Sequence, residues 1–130
     1  MKLVLLDGSY SVCRFDAGSK IPQDVFSGSG FASVTRTADE ISIVRETGSC
    51  PSVAREERGW KVLMVEGPLD FGMIGVLSSI SSPLAQAGIS IFVISTFDTD
   101  YFLVKEGRLD DAFAVLSAAG FTLDRAPAAR

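Results

Sequence analysis

The chain has 130 residues, enough for one domain or for two very small domains that share a core. Hydrophobic residues make up 47% and charged residues 22%, which is ordinary globular composition and argues against disorder. The net charge of −4 argues against a protein that grips nucleic-acid phosphates or an anionic membrane surface.

The N-terminal half is predicted to be rich in strands. Short extended segments are expected at Leu3–Leu6 and Ser11–Phe15. One helical turn is expected over Ile21–Phe26, because proline is favoured at a first helical position. Two further segments separated by Ala38 and Asp39 are typical of a hairpin, namely Phe31–Thr37 and Glu40–Arg45. So short a half buries too little to be stable alone, so we expect one continuous unit with the rest of the chain.

The C-terminal half begins near Glu56–Gly59 and opens with a predicted strand at Trp60–Glu66. Asp70 is expected to cap the helix that follows. Pro83 is expected to kink or interrupt that helix, and Gly88 to lie just past its C-terminal cap. Apolar residues recur through it with helical spacing, at Met73, Val76, Leu77, Ile80 and Leu84.

The remaining segments complete a strand–helix pattern. The apolar run Ser90–Ser95 predicts a strand buried on both faces, with Phe92 and Ile94 in the core. Thr99–Lys105 predicts the next strand. A second helix is expected to turn Leu109, Phe113 and Leu116 toward the sheet and to stop at Gly120, before a closing strand at Phe121–Leu123. The order βαββαβ is that of the ferredoxin-like α+β fold.

Two connections could bind a ligand. Glu66–Gly72 leads into a helix N-terminus, where unpaired backbone N–H groups suit a carboxylate or phosphate, and the alternative is an ordinary tight turn. Ser95–Asp100 crowds hydroxyls and carboxylates between two apolar strands. A half-buried Asp100 would suit a ligand ammonium, and the alternative is a solvated hairpin turn.

The sequence gives little support for catalysis or metal binding. The chain has no histidine, no nucleophile elbow and no P-loop. The 67–72 loop lacks the arginine of acylphosphatase-type enzymes, and Tyr101 and Phe102 fall on opposite strand faces, unlike the stacking platform of RNA-recognition domains. We therefore predict no catalytic residue, no metal and no cofactor.

The sequence shows no segment for export or for membrane insertion. The apolar run at Leu3–Leu6 is too short for a signal-peptide core, and no stretch approaches a membrane span. A cytoplasmic protein without a membrane contact is expected. Cys13 and Cys50 are accordingly predicted to be reduced, half-buried thiols rather than a disulfide or a metal site.

A family resemblance rests on two stretches. The residues from Trp60 to Glu106, WKVLMVEGPLDFGMIGVLSSISSPLAQAGISIFVISTFDTDYFLVKE, resemble the ACT-domain proteins of the small tandem-ACT group, which are similar to CASTOR-type arginine sensors. FASVTRTADEISIVRE resembles the first, degenerate ACT half of that group. The resemblance implies a degenerate ACT-like half at 1–57 and an ACT domain at 58–130.

ACT domains generally bind amino acids between paired domains and regulate other proteins. The resemblance therefore implies a homodimer that binds a small molecule of the amino-acid type and acts on an unknown regulated protein, without being an enzyme. The alternative is an ACT fold kept for dimerisation or protein interaction without a ligand.

The resemblance also implies the ligand contacts. These are Asp70, Phe71, Gly72, Met73, Ile74, Thr96, Phe97 and Asp100. Backbone N–H groups at Gly72 and Met73 are expected to hold a carboxylate, and Asp100 an ammonium. Met73 stands where the arginine sensors place an acid, which leaves open whether the ligand is arginine.

Overall fold

The computed structural model describes residues 1–28, 30–50, 55–69 and 74–126. These residues form eight strands and two α-helices in a mixed α+β fold. In chain order the elements are β1 Lys2–Leu5, β2 Tyr10–Asp16, β3 Ser33–Arg36, β4 Glu40–Glu46, β5 Arg55–Val65, α1 Val76–Gln86, β6 Ile91–Ser95, β7 Asp100–Lys105, a 3₁₀ turn at Glu106–Arg108, α2 Leu109–Ala118 and β8 Thr122–Arg125.

The elements fall into two compact units. Among the described residues, one is Gly8–Trp60, and in the other Met1–Asp7 joins the residues from 61 to 126. The sequence assigns β1 to the N-terminal half, whereas the structure places it in the second unit, because its apolar side chains belong to that core. The division at 57/58 as a domain boundary stays a prediction.

The Gly8–Trp60 unit is an antiparallel arrangement in which β4 pairs with β3 and with β2, and β2 also pairs with the first residues of β5. The predicted hairpin is confirmed as β3–β4, and its turn is closed by the Thr37 N–H, which donates to the Glu40 carbonyl at 2.9 Å. The predicted helical turn near Pro22 is instead a pair of overlapping turns with no helix. Val25 packs with Ile41 and Ile43 of β4 in a small core.

The expectation of two reduced thiols is wrong. Cys13 and Cys50 form a disulfide that links residues 37 apart in sequence, with Cα atoms 6.7 Å apart. Cys13 lies on β2 between β4 and β5, opposite Ile43 on one side and Glu56 on the other. Cys50 lies in the connection from β4 to β5, so strand pairing brings it back to Cys13.

The second unit contains the predicted βαββαβ order, formed by β5, α1, β6, β7, α2 and β8. β7 pairs with both β5 and β6. β1 is inserted between β5 and the outer strand β8. It runs antiparallel to β5 with Leu3 opposite Val65, and parallel to β8 with Leu3 opposite Leu123. Both helices contribute to one core with these strands, which includes the fully buried Ile80, Leu84, Phe102 and Leu116.

Helix α1 starts later than predicted. Its N-cap is Gly75, with no side-chain cap, and Asp70, which was predicted to cap it, lies outside the described residues. The apolar spacing is confirmed for Val76, Ile80 and Leu84, which are buried, whereas Leu77 is exposed and Met73 lies outside the described residues. The predicted interruption at Pro83 is not observed, because proline in the last turn removes only one intrahelical bond.

Strand β6 differs from its prediction. Its residues from Ile91 to Ile94 are half-buried rather than fully buried, because among the described strands β6 pairs with β7 alone. Ile91 and Val93, not Phe92 and Ile94, pack against the core. On α2 the predicted face is confirmed, with Leu116 buried and Leu109 and Phe113 packed against the core.

Both helices end in the same hydrogen-bonded motif. After α1 the Ile89 N–H donates to the Leu84 carbonyl at 2.9 Å, and after α2 the Phe121 N–H donates to the Leu116 carbonyl at 3.0 Å. Gly88 and Gly120 carry the left-handed conformation that this Schellman motif needs, with φ of 71° and 97°. The predicted helix ends are therefore confirmed. Of the helices described, none is both long and apolar enough to cross a bilayer.

Gly88→Ala should lower the free energy of unfolding by about 1–2 kcal/mol, because a Cβ disfavours the left-handed conformation. The control is Gly107→Ala, since Gly107 has no positive φ and, like Gly88, has open space where a Cβ would lie. That variant should be neutral or slightly stabilising. Urea denaturation measures both, and equal costs would contradict the helix-end assignment.

A surface ion cluster joins three strand ends of the second unit. The Lys2 Nζ lies 3.3 Å from Glu66 and 3.2 Å from Asp124. The Arg125 backbone N–H, and then the Lys2 ammonium, lower the pKa of Asp124. A carboxyl with a lowered pKa stabilises the fold above its unfolded pKa, and this contribution is lost as the pH falls through the folded pKa.

Lys2→Met should raise the pKa of Asp124 only part of the way to its ordinary value, because the Arg125 N–H still donates to Oδ1 at 2.9 Å. An NMR titration of the side-chain carboxyl carbon measures this, with Lys20→Met as a charge-matched control in the other unit. An unchanged pKa of Asp124 would show that Lys2 does not lower it. A complete return to the ordinary value would show that the Arg125 N–H contributes nothing.

Candidate ligand-binding site

Half of the predicted ligand contacts lie in the described part of the chain. Ile74, Thr96, Phe97 and Asp100 are described, whereas Asp70, Phe71, Gly72 and Met73 lie outside the described residues. All four described residues belong to the second unit, at the start of α1 and in the β6–β7 hairpin.

The β6–β7 hairpin places Asp100 at the last strand pair, opposite Ser95. The Thr96 N–H donates to the Thr99 carbonyl at 2.8 Å, and the Thr96 hydroxyl both donates to that carbonyl and accepts from the Thr99 N–H. The hydroxyl is thus used inside the turn. Thr96 can shape a pocket wall, but its hydroxyl already has partners.

Two hydrogen bonds hold the hairpin against the loop that follows β5. The buried hydroxyl of Thr99 donates to the Val65 carbonyl at 2.6 Å, and the Leu69 N–H donates to the Asp98 carbonyl at 2.6 Å. Gly67 permits the approach, since a Cβ there would lie 3.1 Å from the Asp98 carbonyl oxygen. Gly67–Leu69 therefore lies against the hairpin, whereas the predicted contacts at Asp70–Met73 lie outside the described residues.

The hairpin carries two carboxylates of different exposure. Asp98 is exposed and Asp100 is half-buried, and in the stretches that the structure describes neither forms an ion pair. Burial, and then the charge of Asp98, raise the pKa of Tyr101 above its ordinary value. The hairpin is therefore a negatively charged surface that suits a cationic group.

The start of α1 suits an anion. The helix begins at Gly75–Val76 with no side-chain cap and no acidic residue in its first turn. Its first backbone N–H groups therefore have no side-chain acceptor within the described residues, and the helix dipole favours a negative group at this end.

Large apolar side chains are exposed at both segments. Ile74 is 97% exposed before α1, Leu77 is 46% exposed in its first turn, and Phe97 is 79% exposed at the hairpin tip. Single exposed apolar residues are common on protein surfaces. Three of them on the two segments that carry the predicted contacts indicate a surface suited to cover by a ligand or another chain.

A group of possible metal ligands lies in the other unit. The sulfurs of Cys13 and Cys50 and a carboxylate oxygen of Glu56 lie within 4.8 Å of one another. Cysteine binds metals as a free thiolate. Since both sulfurs belong to the disulfide, this group is not a metal site while that bond is intact.

Comparison with known families matches both parts of the chain. The model of the ACT domain matches residues 55–118, and the model of a separate N-terminal domain matches residues 8–53. The human protein "Cytosolic arginine sensor for mTORC1 subunit 1" is 40% identical over 58 residues, which make up 44% of this chain. The match spans only 18% of the human protein's length.

Solved structures extend the comparison over the whole chain. An Agobacterium tumefaciens protein has a TM-score of 0.90 at 40% identity, with 99% of this chain and 96% of that chain covered. Clostridium acetobutylicum aspartate kinase, described as an allosteric enzyme, has a TM-score of 0.65 at 14% identity, with 87% of this chain and 33% of that chain covered. The kinase shows likeness of fold alone. With its βαββαβ order and the family model matched at residues 55–118, the chain contains an ACT domain.

Proposed function

We propose that the chain is a regulatory, non-catalytic module that binds a small molecule of the amino-acid type and acts as a homodimer in the cytoplasm. The observation that carries the proposal is the pair of hydrogen bonds from Thr99 and Leu69, which hold the loop after β5 against the β6–β7 hairpin. The ACT domain and the arginine-sensor name of the human relative support the same function.

The site joins an anion-binding end to a cation-binding end. The ligand carboxylate would bind backbone N–H groups at or just before the uncapped start of α1. These are the N–H groups of the predicted contacts Gly72, Met73 and Ile74. The ligand ammonium would face Asp100. Phe97 would cover the ligand, and Thr96 would position the hairpin, while Asp70 and Phe71 remain proposed contacts.

Homodimerisation is supported by surface chemistry. The 79%-exposed Phe97 and 97%-exposed Ile74 would be buried by a second copy. Edge strands such as β6 carry unpaired backbone groups, which pairing with another chain satisfies. Two-fold dimers are also the commonest oligomers. A regulated partner protein would then read the liganded dimer.

The second candidate is an ACT-fold dimer without a ligand. The observation that favours it is the Thr96–Thr99 turn, which satisfies its own polar groups without an external molecule. A thermal-shift screen with the twenty common amino acids separates the two, because a ligand specific for the folded state raises the melting temperature. A dimer that responds to none of them favours the second candidate.

Asp100→Asn should weaken binding of the amino acid found in that screen by roughly 1–3 kcal/mol, because a charge-assisted bond is lost while the shape is kept. Asp98→Asn, on the same hairpin but exposed, should change it little. Calorimetry measures both affinities, and circular dichroism checks the fold. Equal affinities for wild type and Asp100→Asn would remove Asp100 from the site.

Light scattering at micromolar concentration should give twice the chain mass of 13.8 kDa. Phe97→Asp should shift the protein toward the single-chain mass, because a charge on an apolar interface is desolvated without a partner. Ile21→Asp, at an exposed apolar residue of the other unit, is the control and should leave the mass unchanged. A wild-type mass of one chain would refute the dimer.

A further inference from the structure

The Gly8–Trp60 unit contains a cavity of about 340 Å³ that is separate from every residue of the site proposed above. It lies between the turns that follow β2 and the end of β4. This volume is at the lower end of the range for small-molecule pockets, roughly 300–1,000 Å³. Its main side chains are Val25, Phe26, Phe31, Arg45, Glu46 and Ser49.

Arg45 is a buried cation in the wall of this cavity. It is only 7% exposed. Its Nη2 donates to the Asp24 carbonyl at 3.3 Å, and its Nη1 lies 3.7 Å from Oδ1 of Asp24, too far for a hydrogen bond. Nη1 is buried and has no acceptor among the described residues. Since Arg45 lines the cavity and its only ion pair among the described residues is the long one to Asp24, its guanidinium suits an additional carboxylate there.

Glu46 brings the opposite charge to the same cavity. It follows Arg45 at the end of β4 and is exposed. Its carboxylate packs over Gly30, where a Cβ would overlap it. In the described stretches this carboxylate makes no hydrogen bond or ion pair, and only the Glu46 main-chain carbonyl is used, as an acceptor for Ser49. The cavity therefore presents one cation and one unpaired anion.

The apolar wall is held in place by Tyr10, which is 2% exposed. The Phe31 N–H donates to the Tyr10 hydroxyl at 3.1 Å, and the two rings pack edge to face with centroids 6.3 Å apart. Phe26, by contrast, is 67% exposed at the opening. Because this wall is already ordered, binding a ligand to it costs less conformational entropy than binding to a mobile wall.

We propose that this cavity is a second small-molecule site, for an apolar α-amino acid in its zwitterionic form. The ligand carboxylate pairs with Arg45, the ammonium with Glu46, and the side chain lies along Phe26 and Phe31. The two charges select a zwitterion over a simple acid or amine. The competing explanation is that Arg45 only ties β4 to the turn at Asp24.

The test is an NMR titration of the full ¹⁵N-labelled chain with L-phenylalanine, L-leucine and L-valine at millimolar concentration. At least one should shift the amide signals of residues 25–28, 30–32 and 45–49. For L-phenylalanine or its analogues, 3-phenylpropionate and 2-phenylethylamine should bind about tenfold more weakly than the zwitterion, since each lacks one charge-assisted contact. If none of the three amino acids shifts these amides, the proposal is overturned.

Glu46→Gln should weaken the binding seen in this unit about tenfold, because it removes the charge that faces the ammonium. Glu40→Gln, which makes the same change at the other end of β4, is the matched control. Arg45→Lys tests the carboxylate contact, and the exposed Glu46 keeps the test informative if that variant fails to fold. Unchanged affinity in Glu46→Gln overturns the proposal.

The same spectra separate this inference from the function proposed above. Asp100→Asn should leave the shifts of residues 25–28, 30–32 and 45–49 unchanged, while it affects any shifts at the β6–β7 hairpin. Shifts confined to the hairpin would overturn the second site and keep the first. Shifts confined to the Gly8–Trp60 unit would support the second site, and the thermal-shift screen with all twenty amino acids would still decide the first.

Discussion

The backbone pairing of β1 is the interaction on which the second unit depends. β1 forms an antiparallel ladder with β5 and a parallel ladder with β8, so both of its edges are used. Leu3 and Leu5 enter the same core as Ile80 and Leu116. Without β1, the outer strand β8 would have no described strand partner.

Hydrogen bonds attach the candidate site to the sheet that contains β1 and β5. β5 ends at Val65, where the Thr99 hydroxyl binds its carbonyl, and the following loop meets Asp98. These bonds set the distance between the loop and the hairpin. The hairpin therefore takes its position from β5, and the charge of Asp100 is presented from a fixed support rather than from a free loop.

Features that depend on local conformation were predictable from the sequence. Gly88 and Gly120 end helices because each adopts the left-handed conformation, which glycine takes without a steric cost. The β3–β4 hairpin follows from its turn residues and its flanking β-branched residues. Asp100 was identifiable as a candidate because a carboxylate beside an apolar strand is unusual.

Features that depend on distant pairing were not predictable in the same way. The run Ile91–Ile94 is apolar at every position, so its pattern cannot decide which side chains face the core. The sequence around Thr99 is that of an ordinary strand, and it does not show that the Thr99 hydroxyl donates to the distant Val65 carbonyl. The Cys13–Cys50 bond and the position of β1 arise from ladders between segments far apart in sequence, for which neither cysteine spacing nor local hydrophobicity carries a signal.

The place of β1 in the sheet has a consequence for synthesis. Leu3 leaves the ribosome before its partner Val65 in β5, and long before its partner Leu123 in β8. Contacts between such distant segments carry a large loop-closure entropy and slow folding. The ladder between β1 and β5 can therefore form while synthesis continues, whereas the ladder between β1 and β8 can form only after β8 has left the exit tunnel.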